Sequence, residues 1–198
     1  MEPFPLVNEH VHLTVPTAAD VDRVAEVCQD PEVQRWTTVP SPYTRADAES
    51  FVTGFVRRGW ETGSDLTWAV RPAHDPAGPL QGMVGLAVSD GGGERTGEIG
   101  FWAAPEARGR GLITEAARIV TDLGLDPEGL GLVRVQWLGY VGNWPSRRVA
   151  WKVGYRFEGT LRRSADQRGV RRDAWVASLL PDDPREPAEP WPAEAPAR

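Results

Sequence analysis

The stretch that most limits how this chain can fold is Ala104-Pro105-Glu106-Ala107-Arg108-Gly109-Arg110-Gly111-Leu112, which joins an extended run, Gly97 to Trp102, to a helical one beginning at Leu112. Two glycines one residue apart can take left-handed backbone conformations, and they carry no side chains to shield the nearby amides. Amides at a helix start lack intrahelical acceptors and lie at the positive end of the helix dipole. The turn therefore suits an anion, and a phosphate or pyrophosphate is its natural guest. Two other phosphate-binding patterns do not apply. No G-x-x-x-x-G-K-[ST] run occurs, and the third glycine that a dinucleotide fold needs after Gly109 and Gly111 is replaced by Thr114.

Around this turn the chain alternates short β-rich and helical patterns. His10 to Val15 reads as a first strand, with His10 and His12 on one face. An H-x-H pair can ligate a metal, but no third ligand accompanies it and strand alternation explains the spacing; no metal is expected. Thr17 to Asp20 resembles a capping box before a helix whose apolar side holds Val21, Val24, Ala25 and Cys28 and which ends near Gln29; Glu32 to Trp36 adds a turn. Pro40 and Pro42 keep the segment from Trp36 to Tyr43 extended, and with so few charges it either packs or lines a pocket. A second helix is expected from about Arg45 to Trp60, with Phe51, Phe55 and Val56 on one side.

Leu66 to Val70 and Gly82 to Val88 read as a hairpin, and Gly97 to Trp102 is the strand that delivers the chain to the glycine turn. The helix after the turn, Leu112 to about Leu123, presents Ile113, Ala116, Ala117, Val120 and Leu123 for packing, and Leu132 to Trp137 alternates as a strand. Asn143 can cap a short last helix with Pro145 in its first turn and Gly154 just past its end. Tyr155 to Leu161 and Asp173 to Leu180 are further strands, joined by an arginine-rich hairpin from Arg162 to Arg172.

Composition excludes several classes. Of the formal charge of −6, half belongs to Pro181–Arg198, where six prolines and five acids leave too little apolar surface for a core. The organisation expected is one domain, residues 1–180, and a tail, residues 181–198, with Trp191 as the one group able to dock it. An acidic body argues against a general nucleic-acid binder, so no DNA partner is expected. Cys28 is the single cysteine, which forbids an intrachain disulfide and fits a reducing cytosol. No apolar run approaches the length of a membrane span and Met1 to Pro5 lacks the pattern of a signal peptide, so a cytoplasmic protein without a membrane partner is expected.

The run from Gly97 to Ala116 closely resembles the acetyl-CoA motif of the GNAT superfamily of N-acetyltransferases, and Asn143 to Arg162 resembles the second hallmark of its RimJ/RimL-type branch. The resemblance extends from about Val11 to Leu180. It implies an α+β fold with a mixed, mostly antiparallel twisted sheet of about seven strands flanked by about four helices. It also implies acyl-CoA, most simply acetyl-CoA, as co-substrate, with pyrophosphate on the backbone of Arg108, Gly109, Arg110, Gly111 and Leu112, and Thr114 close by. The pantetheine arm would follow the strand ending at Trp102 and Ala103, with Asn143 on its amide and Ser146 donating to the leaving thiolate. Many GNAT enzymes place a tyrosine seven residues after the asparagine for that role; here the position is Ala150. The family's consensus Gln or Arg three residues before the first glycine is Glu106.

Direct acyl transfer needs a neutral amine and a destination for its proton, and Glu98 on the strand before the turn is the candidate base. Each of these residues also has an ordinary reading: Asn143 as a helix cap, Ser146 as a surface hydroxyl, Glu98 as an exposed strand residue. Trp36 and Tyr43 are the candidate acceptor-binding residues, and the acceptor is an amine-bearing small molecule or a protein N-terminus. The resemblance allows a homodimer. The arginine hairpin is either a solvated turn or a contact for an acidic acceptor, the 3′-phosphate of CoA or ribosomal RNA. Two alternatives remain: a silent acyl-CoA-binding regulatory module, and a succinyl-CoA-dependent transferase, which would need an arginine near the acyl pocket.

Overall fold

The computed structural model describes residues 1–196. Eight strands form one sheet in the order β1-β2-β3-β4-β5-β6-β8-β7, with β1 Leu6–Val7, β2 Val11–Thr14, β3 Asp65–Pro72, β4 Gly82–Asp90, β5 Arg95–Ala103, β6 Arg134–Tyr140, β7 Arg156–Gln167 and β8 Val170–Leu179. The sheet is one strand longer than the sequence suggests, because the two-residue β1 adds an edge next to β2. All neighbours are antiparallel except β5 and β6, which run parallel. A parallel pair requires a crossover, and the helix that follows the glycine turn supplies it.

Helices α1 Val21–Val27, α2 Pro31–Trp36, α3 Arg45–Ser50, α4 Arg57–Thr62, α5 Leu112–Leu125 and α6 Trp144–Val153 cover the sheet. A π-helical stretch, Phe51–Val56, joins α3 and α4 into one body, giving five helical bodies among the described residues rather than about four. That stretch also corrects the expected face. The wider turns shift the phase of the side chains, so Val52, Val56 and Trp60 are buried while Phe51 and Phe55 stack beside them and Phe55 is 49% exposed. In α5, Ile113, Ala116, Ala117 and Val120 are buried as expected; the helix runs on to Leu125, which is buried where Leu123 is only partly so.

His10 is exposed beside Glu9, and among the described residues no three His, Cys, Asp or Glu side chains are grouped to hold a metal. No helix among the described residues is long and apolar enough to cross a membrane. The segment after β8 lies along α5 and α6. Arg185 bonds Asp122, Arg118 donates to the Arg185 carbonyl, and Trp191 meets Trp144 and Trp151 edge-on.

Near the chain start, Phe4, Trp60 and Trp68 meet edge to face, and the Trp60 indole donates to the Thr67 carbonyl at 3.1 Å. Trp60→Ala removes the central ring of that cluster and leaves the Thr67 carbonyl without its donor. The unfolding free energy measured by urea denaturation is expected to fall by about 3–5 kcal/mol.

Candidate active site

β5 and β6 pair in register only from Thr96↔Arg134 to Ile99↔Trp137. Beyond that point each strand keeps its outer neighbour, β4 for one and β8 for the other, but the two no longer bond to each other. The sheet therefore opens into a wedge. Ala104 N–H donates to Gln81 next to β4, so by strand alternation the N–H groups of Phe101 and Ala103 face the wedge, whereas those of Trp102 face β4. On the other side Val141 N–H donates to Asp173, which leaves the backbone groups of Leu138 and Tyr140 turned inward.

A cavity of about 510 Å³ opens at this wedge, lined among others by Trp36, Tyr43, Glu98, Trp102, Asn143 and Ser146. Its floor is hollow for a reason visible in the register: Thr67, Gly85 and Gly100 lie side by side on β3, β4 and β5, and two of the three have no side chain. Built at Gly100, a Cβ would meet nothing within 4 Å.

Ser146 and Asn143 come from the start of α6. Asn143 is buried as the helix cap, its Oδ1 accepting the Ser146 N–H at 3.3 Å, while its Nδ2 has no partner among the described residues. Ser146 Oγ accepts a hydrogen bond from the Trp137 indole N–H at 3.0 Å. An indole N–H can only donate, so the serine proton is left to point elsewhere. Glu98 is exposed on β5, and its Oε2 accepts from Gln136 Nε2 at 2.9 Å on the facing residue of β6. Tyr43 and Cys28 both lie in the wall; burial pushes the Cys28 thiol up to about 12 and raises Tyr43 as well, so neither ionises near neutrality.

The glycine turn follows β5. Gly109 and Gly111 adopt φ of 75° and 85°, and the N–H groups of Gly109 and of Gly111 to Thr114 have no backbone acceptor among the described residues. Nearby charge is arranged to spare an anion. Glu106 is paired with Arg23. Arg108 is paired with Asp30, the cap of α2; burial opposes that carboxylate's charge, but the Arg108 guanidinium and the Val33 amide hold its pKa below the ordinary value. Arg110 has no ion-pair partner among the described residues and stays exposed at the turn.

These features fit a CoA thioester: an anion-accepting helix start, then a wedge edged with unpaired amides, then a hydroxyl at its inner end. Residues 10–156 match the acetyltransferase (GNAT) domain family. The chain belongs to the GNAT family. YdaF of Bacillus subtilis (strain 168), named as a ribosomal N-acetyltransferase, is 31% identical over 178 residues, covering 88% of this chain and 93% of that protein. A crystal structure described as that of an acetyltransferase is 27% identical with a TM-score of 0.76, covering 91% of this chain and 98% of that one. Mycobacterium smegmatis RimJ in complex with CoA-disulfide shares the fold at 22% identity and a TM-score of 0.76, covering 90% of this chain and 86% of that one. These relations place the chain in the RimJ/RimL-type branch, as an N-acetyltransferase that uses acyl-CoA as co-substrate.

Of the site residues read from the sequence, Trp36, Tyr43, Glu98, Trp102, Asn143 and Ser146 line the one cavity. Ala103 faces the wedge through its backbone, and Arg108 to Leu112 with Thr114 form the turn beyond the cavity. Sequence reasoning missed Trp137 and Gln136, which hold Ser146 and Glu98. Their only signal is alternation within the strand Leu132 to Trp137, which shows a face but not a partner.

Gly111→Asp places a carboxylate at the turn in a backbone conformation that side chains disfavour. CoA affinity measured by calorimetry is expected to fall at least about tenfold, roughly 1.4 kcal/mol, and Gly111→Ala by less.

Proposed function

We propose that this N-acetyltransferase acts on the free N-terminal amine of a protein, by direct attack of that amine on the acetyl thioester. The observation that carries the reading is the pair of groups on either side of the wedge. Consecutive strand residues point to opposite faces. Gln136, which holds Glu98, and Trp137, which holds Ser146, therefore bring a carboxylate and a hydroxyl to the gap from opposite faces of the sheet. A nucleophile arriving on one side with its leaving group departing on the other needs this disposition.

In this reading Glu98 takes the proton of the incoming ammonium, directly or through water. Amides at Phe101 and Ala103 polarise the thioester carbonyl. Asn143 Nδ2 steadies the pantetheine arm, and the amides from Arg108 to Leu112, with Thr114, receive the pyrophosphate. The Ser146 hydroxyl donates to the departing sulfur, helped by the positive end of α6. Trp36 and Tyr43 form the acceptor wall on the α1–α3 side. Among the described residues the cavity lining contains no lysine or arginine, which supports acetyl over succinyl as the group transferred. A protein acceptor is supported by the relation to YdaF and by a cavity whose lining runs from Trp36 to Ala165 and Asp166 of the β7–β8 hairpin.

The assay is release of free CoA thiol from acetyl-CoA with N-terminally free peptides. Ser146→Ala is expected to lower kcat about 100-fold with little change in KM for acetyl-CoA. Absence of thiol release by the wild-type chain across peptide and small-amine acceptors would sink the proposal. In the same assay Glu98→Gln is expected to reduce kcat/KM about 100-fold, with the loss partly recovered as rising pH deprotonates the amine in solution. A variant with unchanged kcat/KM at neutral pH removes Glu98 from the base role.

A further inference from the structure

A second pocket of about 440 Å³ lies beside the cavity, lined by Arg35, Arg163, Arg171, Arg172, Gln167 and Asp173, and sharing Trp36 and Tyr140 with it. Four guanidinium groups face one carboxylate there, on a chain whose formal charge is −6. The charge is only lightly offset. Arg35 lies 3.6 Å from Glu32, Arg171 lies 4.0 Å from Asp166, and among the described residues Arg163 and Arg172 make no ion pair.

The arginines are not on a loose loop. β7 and β8 pair as far as Gln167↔Val170, leaving Arg168 and Gly169, both with positive φ, as a two-residue turn. Left-handed φ is uncommon for arginine, and here the side chain is tied down. Arg168 donates to the carbonyls of Gln34, Thr37 and Val39, and Gln167 to those of Gln34, Arg35 and Thr37. The hairpin tip is thus clamped to the end of α2, and Trp36 is held between them with its indole on Glu32 and Arg35 over its ring. No residue of the glycine turn lines this pocket, which sets it apart from the turn read as the pyrophosphate site.

We propose that this pocket is an anion-recognition subsite selecting acceptors whose reactive N-terminus is followed by acidic residues; the proposal rests on the reading of the adjoining cavity as the place where the amine reacts. An extended acidic peptide fits because Trp36 and Tyr140 border both pockets, so the residues following a reacting amine pass directly among the arginines. Planar guanidiniums pair with carboxylates in two-point geometry, and the surrounding negative charge repels acidic segments that miss the pocket.

The test is calorimetric titration of the full chain with two N-terminally free, C-terminally amidated peptides, Ser-Asp-Glu-Asp-Ala-Ala and its amide counterpart Ser-Asn-Gln-Asn-Ala-Ala. The acidic peptide is expected to bind at least about tenfold more tightly at low ionic strength, with the advantage shrinking as salt screens it. Arg163→Glu with Arg171→Glu is expected to abolish the advantage. Equal affinities, including undetectable binding of both peptides, or a preference untouched by the double variant, overturns the proposal. A mixed-sequence RNA oligomer that displaces the acidic peptide at lower concentration overturns it in favour of nucleic acid. Thiol release measured in parallel separates the two readings. A charge preference without turnover of any amine keeps the subsite and removes the transferase site, and turnover without a charge preference does the reverse.

Discussion

Beyond Ile99 and Trp137, β5 and β6 stop exchanging hydrogen bonds while each remains bonded to its outer neighbour, so amides and carbonyls inside the sheet face one another across a gap. Buried backbone groups left without partners cost about 1–3 kcal/mol each, so such a gap persists only where water or a ligand can satisfy them. The pantetheine arm of CoA carries its own amides and is narrow enough to lie between strands. The other donor-side features follow from the same geometry. The strand that leaves the gap runs into the glycine turn, and α5 returns the chain to make β6 parallel, so opening the sheet and leaving the turn's amides without backbone acceptors are one topological act.

The proposed chemical groups are held at second hand. Neither Glu98 nor Ser146 is fixed by its own backbone; each is fixed by a neighbour on β6, Gln136 for one and the Trp137 indole for the other. Trp137 is almost fully buried, so Ser146 is referenced to the hydrophobic core even though it lines a cavity. Asn143 joins two tasks that the sequence presents as alternatives, since capping uses its oxygen and leaves its nitrogen available.

Local signals explain what could be read before the fold was known. The glycine turn, the Asn143-Pro145-Gly154 helix and the strand alternation each depend on a few adjacent residues, and each stands where the sequence puts it. The misreadings have long-range or phase-dependent causes. Phe51 and Phe55 follow a regular helical period that the π-helical stretch interrupts. The segment from Arg162 to Arg172 is mostly exposed, which agrees with one of the readings the sequence left open, but its anchorage at Gln34 to Val39 lies some 130 residues away and has no local signal. The wedge itself is a statement about where pairing ends, and no single strand encodes that.

The clamp between the hairpin tip and α2 also bears on how the protein comes into being. Elements from β5 to α6 come from one continuous portion of the chain, but the wall around Trp36 gains its second half only from Gln167 and Arg168, some 130 residues further on. The wedge waits on the same stretch, because the outer neighbour of β6 is β8, which follows the clamp in the chain. The last hairpin therefore finishes both walls of the cavity together, and a chain that stops short of β8 has neither.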